Sequence, residues 1–421
     1  MQQFDTQRTS LRDWLPLAVK NWPDHPAIEA PDGSLSYRQL ELAVEVEAAR
    51  LRAAGIISGD RVAIAAARSQ VTIIAILAVN RVGAGYVPLD SAYPDDRLRA
   101  MLADVRPRAV IGDPVARRAL ESSLGPLPSL EALSLPESTF GSPPGLTYVL
   151  FTSGSTGRPK GVAMGEEPLA HLIDFHVRHQ RLGQPARTLQ FAPLSFDVHF
   201  QEIFSTIATG GTLVLLEEAQ RRDPERLHDA IARLRIQRVF LPYVALQMLA
   251  EASGESVPAS LREVISAGEQ LQISPAIRAL FSRLPDAELH NHYGPTESHV
   301  TTAWELRGPT EKWPDIPPIG VELPHVKLAL RDPETGLPAT GDRGELLLGG
   351  DTLAYGYLGQ EELTSERFRE DLPGLPGRWY VTGDLVARDT AGVCTYLGRA
   401  DSQLKIDGFR VEPGEIEVAL M

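Results

Sequence analysis

The chain has 421 residues, of which 43% are hydrophobic and 23% charged, a composition typical of a folded protein with a large core. Its formal net charge of −14 argues against a general nucleic-acid-binding protein, and its single cysteine, Cys394, excludes an intramolecular disulfide or a cysteine-based metal cluster. Since no signal peptide is evident and no apolar run reaches the roughly 18 residues of a membrane span, we expect a cytoplasmic protein without a membrane partner.

Helices and strands are predicted to alternate up to about residue 320. A capping box at Ser36 and Gln39, apolar residues on one face and a stop at Gly55 predict the first clear helix. A strand over 61–67, a helix over 71–82 and a strand in GAGYVPLD follow, and more strands are predicted in RAVIGD, TYVLFT, GTLVLLE, RVFLPY, REVISAGE and AELHNHYG. This order favours an α/β fold with largely parallel sheets.

Two other segments are interpreted from composition. The runs HVKLALRD, GELLLGG and GVCTYLG, separated by Gly, Pro and Asp, predict a β-rich portion after about residue 320. The acidic helix face in ELAVEVEAAR (41–50) is interpreted as a solvated surface.

The most informative segment is a loop of small and hydroxyl-bearing residues after a predicted strand. Five Ser, Thr or Gly residues follow one another from Ser153 to Gly157, and a lysine stands at 160. Free backbone N–H groups and hydroxyls suit the oxygens of a polyphosphate, and Lys160 adds a cation. A surface turn is the alternative reading of such a cluster. The sequence GSTGRPKG does not match the Walker A pattern, which disfavours a P-loop kinase or ATPase.

The loop sequence YVLFTSGSTGRPKGV resembles the phosphate-loop signature of the adenylate-forming enzymes, the superfamily of acyl-CoA synthetases, luciferases and the adenylation domains of nonribosomal peptide synthetases. Other stretches are similar to that family's motifs in the expected order: LAVNRVGAGYVPLD (77–90), SFDVHFQEIFSTIATGGTLVLL (195–216), NHYGPTE (291–297), GELLLGG (344–350), YVTGDL (380–385) and GRADSQLKIDGFRVEPGEIE (398–417). The last match points to the peptide-synthetase branch.

The resemblance implies a large N-terminal lobe over residues 1–398, with parallel-rich sheets flanked by helices and a β-rich subdomain. Residues 399–421 are then a hinge, at Asp401, and the start of a small C-terminal lobe. We expect that lobe to be truncated here and this chain to adenylate weakly, because the family's lysine that contacts the acyl phosphate is not found after the hinge.

The resemblance also implies two ligands, ATP and Mg²⁺, and assigns residues to them. Thr152, Lys160 and Glu297 are implied to act in catalysis, with Glu297 binding Mg²⁺ that bridges phosphate oxygens. Tyr293 would stack on adenine, and Asp384 would accept hydrogen bonds from the ribose hydroxyls. The implied nucleotide-binding set is Thr152, Ser153, Gly154, Ser155, Thr156, Gly157, Lys160, Asn291, Tyr293, Gly294, Thr296, Asp384 and Arg399.

An aspartate in SFD indicates an amino acid as the substrate. In the amino-acid-activating branch the residue at the position of Asp197 pairs with the substrate ammonium, whereas CoA ligases for simple acids generally lack it. The implied substrate-binding set is Asp197, Val198, Gln201, Phe240, Ile265, Ala267, His292, Val300 and Thr301. Read in order, D-V-Q-F-I-A-H-V-T resembles the pattern of proline-activating domains.

These residues predict a small, largely apolar chamber with no charged group that could pair with a charged substrate side chain. L-Proline suits such a chamber, and methylproline or pipecolate differ from it by only a methylene, worth roughly 1–3 kcal/mol. Thr301 leaves a hydroxylated proline open. His199 is expected to point away from the ligand.

The first function hypothesis is therefore an ATP-dependent ligase that makes prolyl-AMP and passes the acyl group to the phosphopantetheine thiol of a carrier protein. An acyl-CoA synthetase for another carboxylic acid is the alternative among enzymes. A non-catalytic nucleotide-binding or docking module is the alternative from another class.

Overall fold

The computed structural model describes residues 10–130, 143, 145–153, 159–254 and 256–401, together with the backbone of 404–406 and 409–411. Its helices are α1 (Trp14–Asn21), α2 (Tyr37–Ala53), α3 (Gln70–Val82), α4 (Asp95–Val105), α5 (Pro114–Leu124), α6 (Glu166–Arg178), α7 (Val198–Phe200), α8 (Thr206–Ala208), α9 (Glu218–Arg222), α10 (Pro224–Arg233), α11 (Tyr243–Ala252), α12 (Pro275–Ser282) and α13 (Glu361–Arg367). A π-helical turn, Gln201–Ser205, joins α7 to α8, and a short 3-10 helix covers Thr310–Lys312.

The strands before residue 320 are β1 (Pro26–Ala30), β2 (Gly33–Ser36), β3 (Arg61–Ala66), β4 (Gly85–Asp90), β5 (Ala109–Gly112), β6 (Leu146–Thr152), β7 (Lys160–Gly165), β8 (Arg187–Gln190), β9 (Thr212–Leu215), β10 (Arg238–Leu241), β11 (Glu263–Ser266), β12 (Glu288–Tyr293) and β13 (Thr302–Leu306). The later strands are β14 (Val321–Glu322), β15 (Val326–Arg331), β16 (Arg343–Gly350), β17 (Gly356–Tyr357), β18 (Phe368–Arg369), β19 (Trp379–Arg388), β20 (Cys394–Arg399), β21 (Leu404–Ile406) and β22 (Phe409–Val411).

The largest sheet has the order β14-β13-β12-β11-β10-β8-β9-β1-β2. Its six central strands, from β12 to β1, run parallel, and antiparallel strands close both edges. Buried parallel strands are near-continuous apolar runs, which is why segments such as RVFL could be predicted as strands. The α/β fold with parallel-rich sheets is confirmed.

The second sheet has the order β17-β7-β6-β4-β3-β5 and is parallel from β6 to β5. Its antiparallel pair β6 and β7 places Thr152 opposite Lys160, so the two ends of the hydroxyl-rich loop are neighbours in the sheet. The predicted loop residues Gly154, Ser155, Thr156 and Gly157 lie outside the described part of the chain.

The β-rich portion is a separate antiparallel sheet. It has the order β15-β16-β19-β18, with β20 paired to β19, and it includes the predicted runs HVKLALRD, GELLLGG and GVCTYLG. Short antiparallel strands joined by turns suit the Gly- and Pro-rich texture of this region. The prediction of a β-rich portion after about residue 320 is confirmed.

The helix predicted from the capping box is α2. The Ser36 hydroxyl accepts from the Gln39 backbone N–H, and the Gln39 side chain accepts from the Ser36 N–H at 2.8 Å. The interpretation of its acidic face as solvated is only partly correct. Both carboxylate oxygens of Glu41 accept from Arg81 of α3, at 3.0 and 2.9 Å, so the face also holds two helices together.

The sequence did not predict the β1–β2 hairpin, β8 or β13. Strand β8 reads RTLQ, and its buried Thr188 and Gln190 break the apolar pattern that marks a central strand. Cys394 is buried at the start of β20, and burial raises the pKa of its thiol to about 11, in keeping with a packing role. Among the described residues, no helix has both the length and the hydropathy to cross a membrane.

Candidate active site

A cavity of about 780 Å³ lies where the carboxyl ends of the parallel strands meet the antiparallel sheet. Open α/β sheets bind ligands at that edge. The wall includes sequence-predicted residues from several elements: Thr152, Ser153, Asp197, Val198, Gln201, Phe240, Ile265, Ala267, His292, Gly294, Thr296, Val300, Asp384 and Arg399. Residues far apart in the chain are thus brought to one site.

Asp197 lies at the amino end of the continuous helical segment formed by α7, the π-helical turn and α8. Its backbone carbonyl accepts a hydrogen bond from His299 Nε2 at 3.1 Å. The Val300 N–H donates to His299 Nδ1 at 3.0 Å, so this nitrogen is the acceptor and Nε2 carries the proton. Neutral His299 therefore fixes the backbone of Asp197, and burial lowers its pKa.

Apolar side chains form the wall beside Asp197. Phe240 and Ile265 are fully buried at the ends of β10 and β11, and Val198 packs against them. Val300 reaches the cavity from the turn after β12. The expected apolar chamber is therefore present beside the aspartate.

Two histidines and a glutamine make the buried end of the chamber polar. His176 of α6 bonds its Nε2 to Gln201 Oε1 at 3.1 Å. His292, at the end of β12, lines the cavity. Burial lowers the pKa of His176 to about 3 and the pKa of His292 well below its usual value, so both rings are neutral at pH 7. These two neutral imidazoles belong to the buried end, and His176 was missed by the sequence reasoning.

Thr301 is not part of the cavity wall. Its hydroxyl donates to the Tyr293 carbonyl at 3.2 Å, and the residue is fully buried. The hydroxyl therefore has an internal partner, and it gives no reason to expect a hydroxylated substrate. His199 likewise faces away, as predicted: Tyr86 donates to its Nε2 at 2.7 Å, and its Nδ1 donates to the Phe196 carbonyl at 2.5 Å.

Tyr293, Asp384 and Arg399 form one hydrogen-bonded group at the other end of the site. The Tyr293 hydroxyl donates to Asp384 Oδ2 at 2.5 Å, and Arg399 Nη1 donates to Asp384 Oδ1 at 2.7 Å. Burial and the Asp384 carboxylate raise the pKa of Tyr293 well above its usual value, so the hydroxyl keeps its proton. The sequence grouped these residues by role but did not predict the bond between Tyr293 and Asp384.

A second cavity of about 540 Å³ adjoins this group. It shares Gly268, His292, Gly294 and Arg399 with the first cavity and is also lined by Asn291, Tyr293 and Asp401. The Asn291 amide donates to the Pro318 carbonyl at 2.8 Å, and both Asp401 oxygens accept from Arg399 at 2.6 Å. The predicted hinge residue is thereby connected to the nucleotide-side group.

The predicted phosphate-side residues that the structure describes are Thr152, Ser153, Lys160 and Glu297. Thr152 and Ser153 line the cavity, and Thr152 Oγ1 is buried without a hydrogen-bond partner among the described residues. Lys160 and Glu297 are buried. The Lys160 ammonium lies 5.5 Å from the ring centre of Tyr357, whose hydroxyl donates to Glu297 Oε1 at 2.8 Å. The sequence around Tyr357, AYGYLG, did not indicate a functional role for it.

Oxygen donors are what Mg²⁺ requires, and this region supplies them. Glu297 offers a buried carboxylate, and Thr152 offers a hydroxyl without a partner among the described residues. Mg²⁺ usually takes one or two carboxylates and completes its shell with phosphate oxygens and water. The donor set therefore fits the predicted ion.

Cations outnumber carboxylates along the described wall of the first cavity. Arg97, Arg221, Arg222 and Arg399 line it, against Asp197 and Asp384. A cleft lined by one sign of charge attracts the opposite sign, so a polyanion is favoured here although the whole chain carries −14. Of these cations, the sequence analysis singled out only Arg399.

Glu202 is a second residue that the sequence reasoning missed. It is fully buried in the π-helical turn and accepts from the N–H groups of Phe191 and Ala192 at 2.9 and 3.0 Å. Burial raises its pKa to about 7. Phe191 and Ala192 line the cavity, so Glu202 positions that wall. An acid inside the apolar run HFQEIFSTIA was the signal available.

Comparison with known proteins gives a matching family. The family model described as AMP-binding enzyme matches residues 15–358. Tyrocidine synthase 2 of Brevibacillus parabrevis is 35% identical over an alignment of 407 positions that covers 95% of this chain and 11% of that protein. Gramicidin S synthase 2 of Brevibacillus brevis is 33% identical over an alignment of 422 positions that covers 96% of this chain and 9% of that protein. The chain therefore spans about a tenth of the length of the first curated relatives that it matches.

Two solved structures share the fold. An artificially fused adenylation–PCP didomain, NpsA-ThdA from Klebsiella oxytoca, is 25% identical with a TM-score of 0.79, over 99% of this chain and 84% of that one. Holo-PA1221, which contains adenylation and PCP domains and is bound to a vinylsulfonamide inhibitor, is 25% identical with a TM-score of 0.82, over 98% of this chain and 72% of that one.

Proposed function

Because the chain belongs to the AMP-binding enzymes, and within them to the adenylation type of the nonribosomal peptide synthetases, we propose that it joins an amino acid to AMP. The amino acid is L-proline, and the activated acyl group passes to the phosphopantetheine thiol of a carrier protein in the cytoplasm. One observation carries the proposal. Asp197 lines a chamber with apolar walls and a neutral polar end, in a cavity that continues to the group of Tyr293, Asp384 and Arg399.

In this reaction a carboxylate oxygen of the amino acid attacks the α-phosphorus of ATP. The new bond is an acyl–oxygen–phosphorus link, and the bond to the β-phosphate breaks, so pyrophosphate leaves with its electron pair. Holding both reactants in line supplies much of the acceleration in such a step. Asp197 holds the ammonium and Asp384 the ribose, which places the carboxylate beside the α-phosphate.

The other residues act on the charge of the triphosphate. Thr152, Ser153 and the loop from Gly154 to Gly157 donate hydrogen bonds to phosphate oxygens, and Lys160 adds a positive charge beside the loop. Glu297 would hold Mg²⁺, which would supply positive charge to the phosphate oxygens.

The choice of proline rests on the walls of the chamber. Val198, Phe240, Ile265, Ala267 and Val300 give a pyrrolidine ring apolar contacts, and burial keeps the imidazoles of His176 and His292 neutral at the buried end. A secondary ammonium still carries two N–H donors for the carboxylate. Methylproline and pipecolate each carry one methylene more than proline. We expect the chamber to bind them more weakly than proline by roughly 1–3 kcal/mol.

The carrier protein and the lobe boundary belong to the same proposal. Both solved relatives contain a PCP domain beside the adenylation domain, which supports a carrier as the acyl acceptor. We place the end of the large lobe at residue 398 and a hinge at Asp401, just after the last strand of the antiparallel sheet.

Exchange of radiolabelled pyrophosphate into ATP tests the function. We expect exchange to depend on an amino acid, with proline the most effective across the proteinogenic acids, hydroxyproline and pipecolate. Titration calorimetry with prolyl-sulfamoyl-adenosine, a stable analogue of prolyl-AMP, provides a readout that does not need turnover. A preference for glutamine or a large aromatic acid contradicts the chamber assignment. Exchange supported by benzoate or a fatty acid instead indicates an acyl-CoA synthetase.

A further inference from the structure

The buried end of the chamber contains polar atoms that the described part of the protein leaves unsatisfied. Gln201 Nε2, His176 Nδ1 and both ring nitrogens of His292 have no hydrogen-bond partner among the described residues. His176 and Gln201 are 0% exposed and His292 is 2% exposed. A buried donor without a partner costs about 1–3 kcal/mol, so these atoms favour a ligand that bonds to them.

The bond between His176 and Gln201 determines which way the amide faces. The Gln201 Oε1 atom can only accept, so His176 Nε2 carries the proton and donates at 3.1 Å. His176 Nδ1 is then an acceptor. The Gln201 amino group is left with two donors, and Gln201 itself lines the cavity although His176 does not.

Two imidazole rings lie at this end of the chamber with the Gln201 amide. The ring centres of His176 and His292 lie 5.9 Å apart, with an angle of 63° between the planes. A buried water needs two to four polar partners, and Gln201 Nε2 and a His292 nitrogen, both on the cavity wall, can supply two. An oxygen atom can both donate and accept, as these partners require.

We propose that His176, Gln201 and His292 form a subsite for one oxygen atom behind the substrate side chain. His176 is the positioning residue of this subsite, because it fixes the Gln201 amide through their hydrogen bond. The proposal rests on the proposed function. The oxygen is either the hydroxyl of a hydroxylated cyclic amino acid or an ordered water that accompanies an unsubstituted ring.

A double-mutant cycle on binding tests the subsite. Prolyl-sulfamoyl-adenosine is titrated by calorimetry into the wild type, His176→Phe, Gln201→Met and the double variant. We expect each single change to weaken binding about 10-fold, and the double variant to be weakened about 10-fold as well, because His176 acts only through Gln201. His228→Leu is the matched control. It removes another largely buried imidazole, bonded to the Ser256 carbonyl, and should leave the affinity within about 2-fold.

The two 4-hydroxyprolyl epimers of the analogue distinguish the sources of the oxygen. If one epimer binds the wild type at least as tightly as the prolyl analogue, the substrate hydroxyl fills the subsite; weaker binding of both indicates a retained water. An affinity of His176→Phe equal to that of the wild type overturns the proposal. The proposal is also overturned if the loss of affinity in the double variant equals the product of the two single losses. If His176→Phe does not fold, wild-type affinity in Gln201→Met alone overturns it. Failure of the wild type to bind the prolyl analogue refutes the proposed function instead.

Discussion

At the scale of single residues, the nucleotide end depends on how Asp384 is held. Its two oxygens accept from Tyr293 at 2.5 Å and from Arg399 at 2.7 Å, and its backbone N–H donates to the Thr382 hydroxyl at 2.9 Å. These three contacts fix the carboxylate that is proposed to bind the ribose. Motif resemblance indicated Tyr293 and Asp384 separately, but their contact joins β12 to β19, and only the packed fold shows it.

Changing Tyr293 to Phe tests this contact while keeping the ring. The substitution leaves a buried carboxylate oxygen without its donor, so we expect the free energy of unfolding to fall by about 1–2 kcal/mol. We also expect calorimetry to show ATP bound several-fold more weakly. Asp384→Asn should weaken ATP binding more, because it also removes the charge. If Tyr293→Phe keeps the stability and the ATP affinity of the wild type, the hydrogen bond from Tyr293 does not position the Asp384 carboxylate.

Glu202 gives a pH dependence with a definite sign. Burial raises its pKa from 4.5 to about 7, so the folded chain holds this proton over a pH range in which the unfolded chain has lost it. The stability that Glu202 contributes is present below pH 4.5 and is lost as the pH rises through about 7. The buried His176 acts in the opposite sense: its pKa is lowered to about 3, and its contribution is lost as the pH falls below 6.5.

Urea unfolding of the wild type and Glu202→Gln between pH 5 and pH 8 isolates the carboxyl, because the histidine contributions cancel in the difference. We expect the stability of the wild type relative to the variant to fall by about 3 kcal/mol across this range. A difference that does not change with pH would mean that the Glu202 carboxyl is already ionised at pH 5.

At the scale of elements, the turn between β12 and β13 connects both ends of the site. The Thr301 N–H donates to the Tyr293 carbonyl at 2.8 Å, and His299, at φ 58°, bonds the carbonyl of Asp197. Gly294 lies very close to the end of this turn: a Cβ atom on it would stand 1.7 Å from the His299 carbonyl oxygen. Only glycine fits that approach.

Gly294→Ala therefore tests the turn as a unit. We expect amino-acid-dependent exchange to fall by at least about 100-fold, because His299, Val300 and Tyr293 would all shift. Gly308→Ala is the control. Gly308 has φ 76° and open space on the side where a Cβ atom would stand, so this variant should lose about 1 kcal/mol of stability and keep its exchange rate. Equal exchange in the two variants would contradict the role of the turn.

The elements also show what a sequence can and cannot predict. Strands β3, β4, β10 and β11 are apolar runs between helices and were predicted, whereas β8 with Thr188 and Gln190 was not. Strand order could not be predicted, because β8 lies between β9 and β10 through contacts distant in the chain. The same holds for His176, which is 25 residues from Gln201.

At the scale of the whole molecule, three sheets supply one site. The mixed nine-stranded sheet gives His292, the second sheet gives Thr152, and the antiparallel sheet gives Asp384. The chain is acidic overall, yet arginines outnumber carboxylates on the described wall of the cavity. The motif order predicted this convergence through family resemblance, while composition and hydrophobic pattern alone led only to an α/β protein.

The account depends most on the ion pair between Asp197 and the substrate amine. Calorimetric titration of prolyl-sulfamoyl-adenosine and of its cyclopentanecarbonyl counterpart, which lacks the ring nitrogen, measures that pair in the wild type and in Asp197→Asn. A hydrogen bond to a charged group contributes about 1.5–3 kcal/mol, so the wild type should prefer the prolyl compound by about 10-fold to 100-fold. Asp197→Asn should bind the two compounds nearly equally. Equal binding by the wild type, or the same preference in both proteins, would contradict the account.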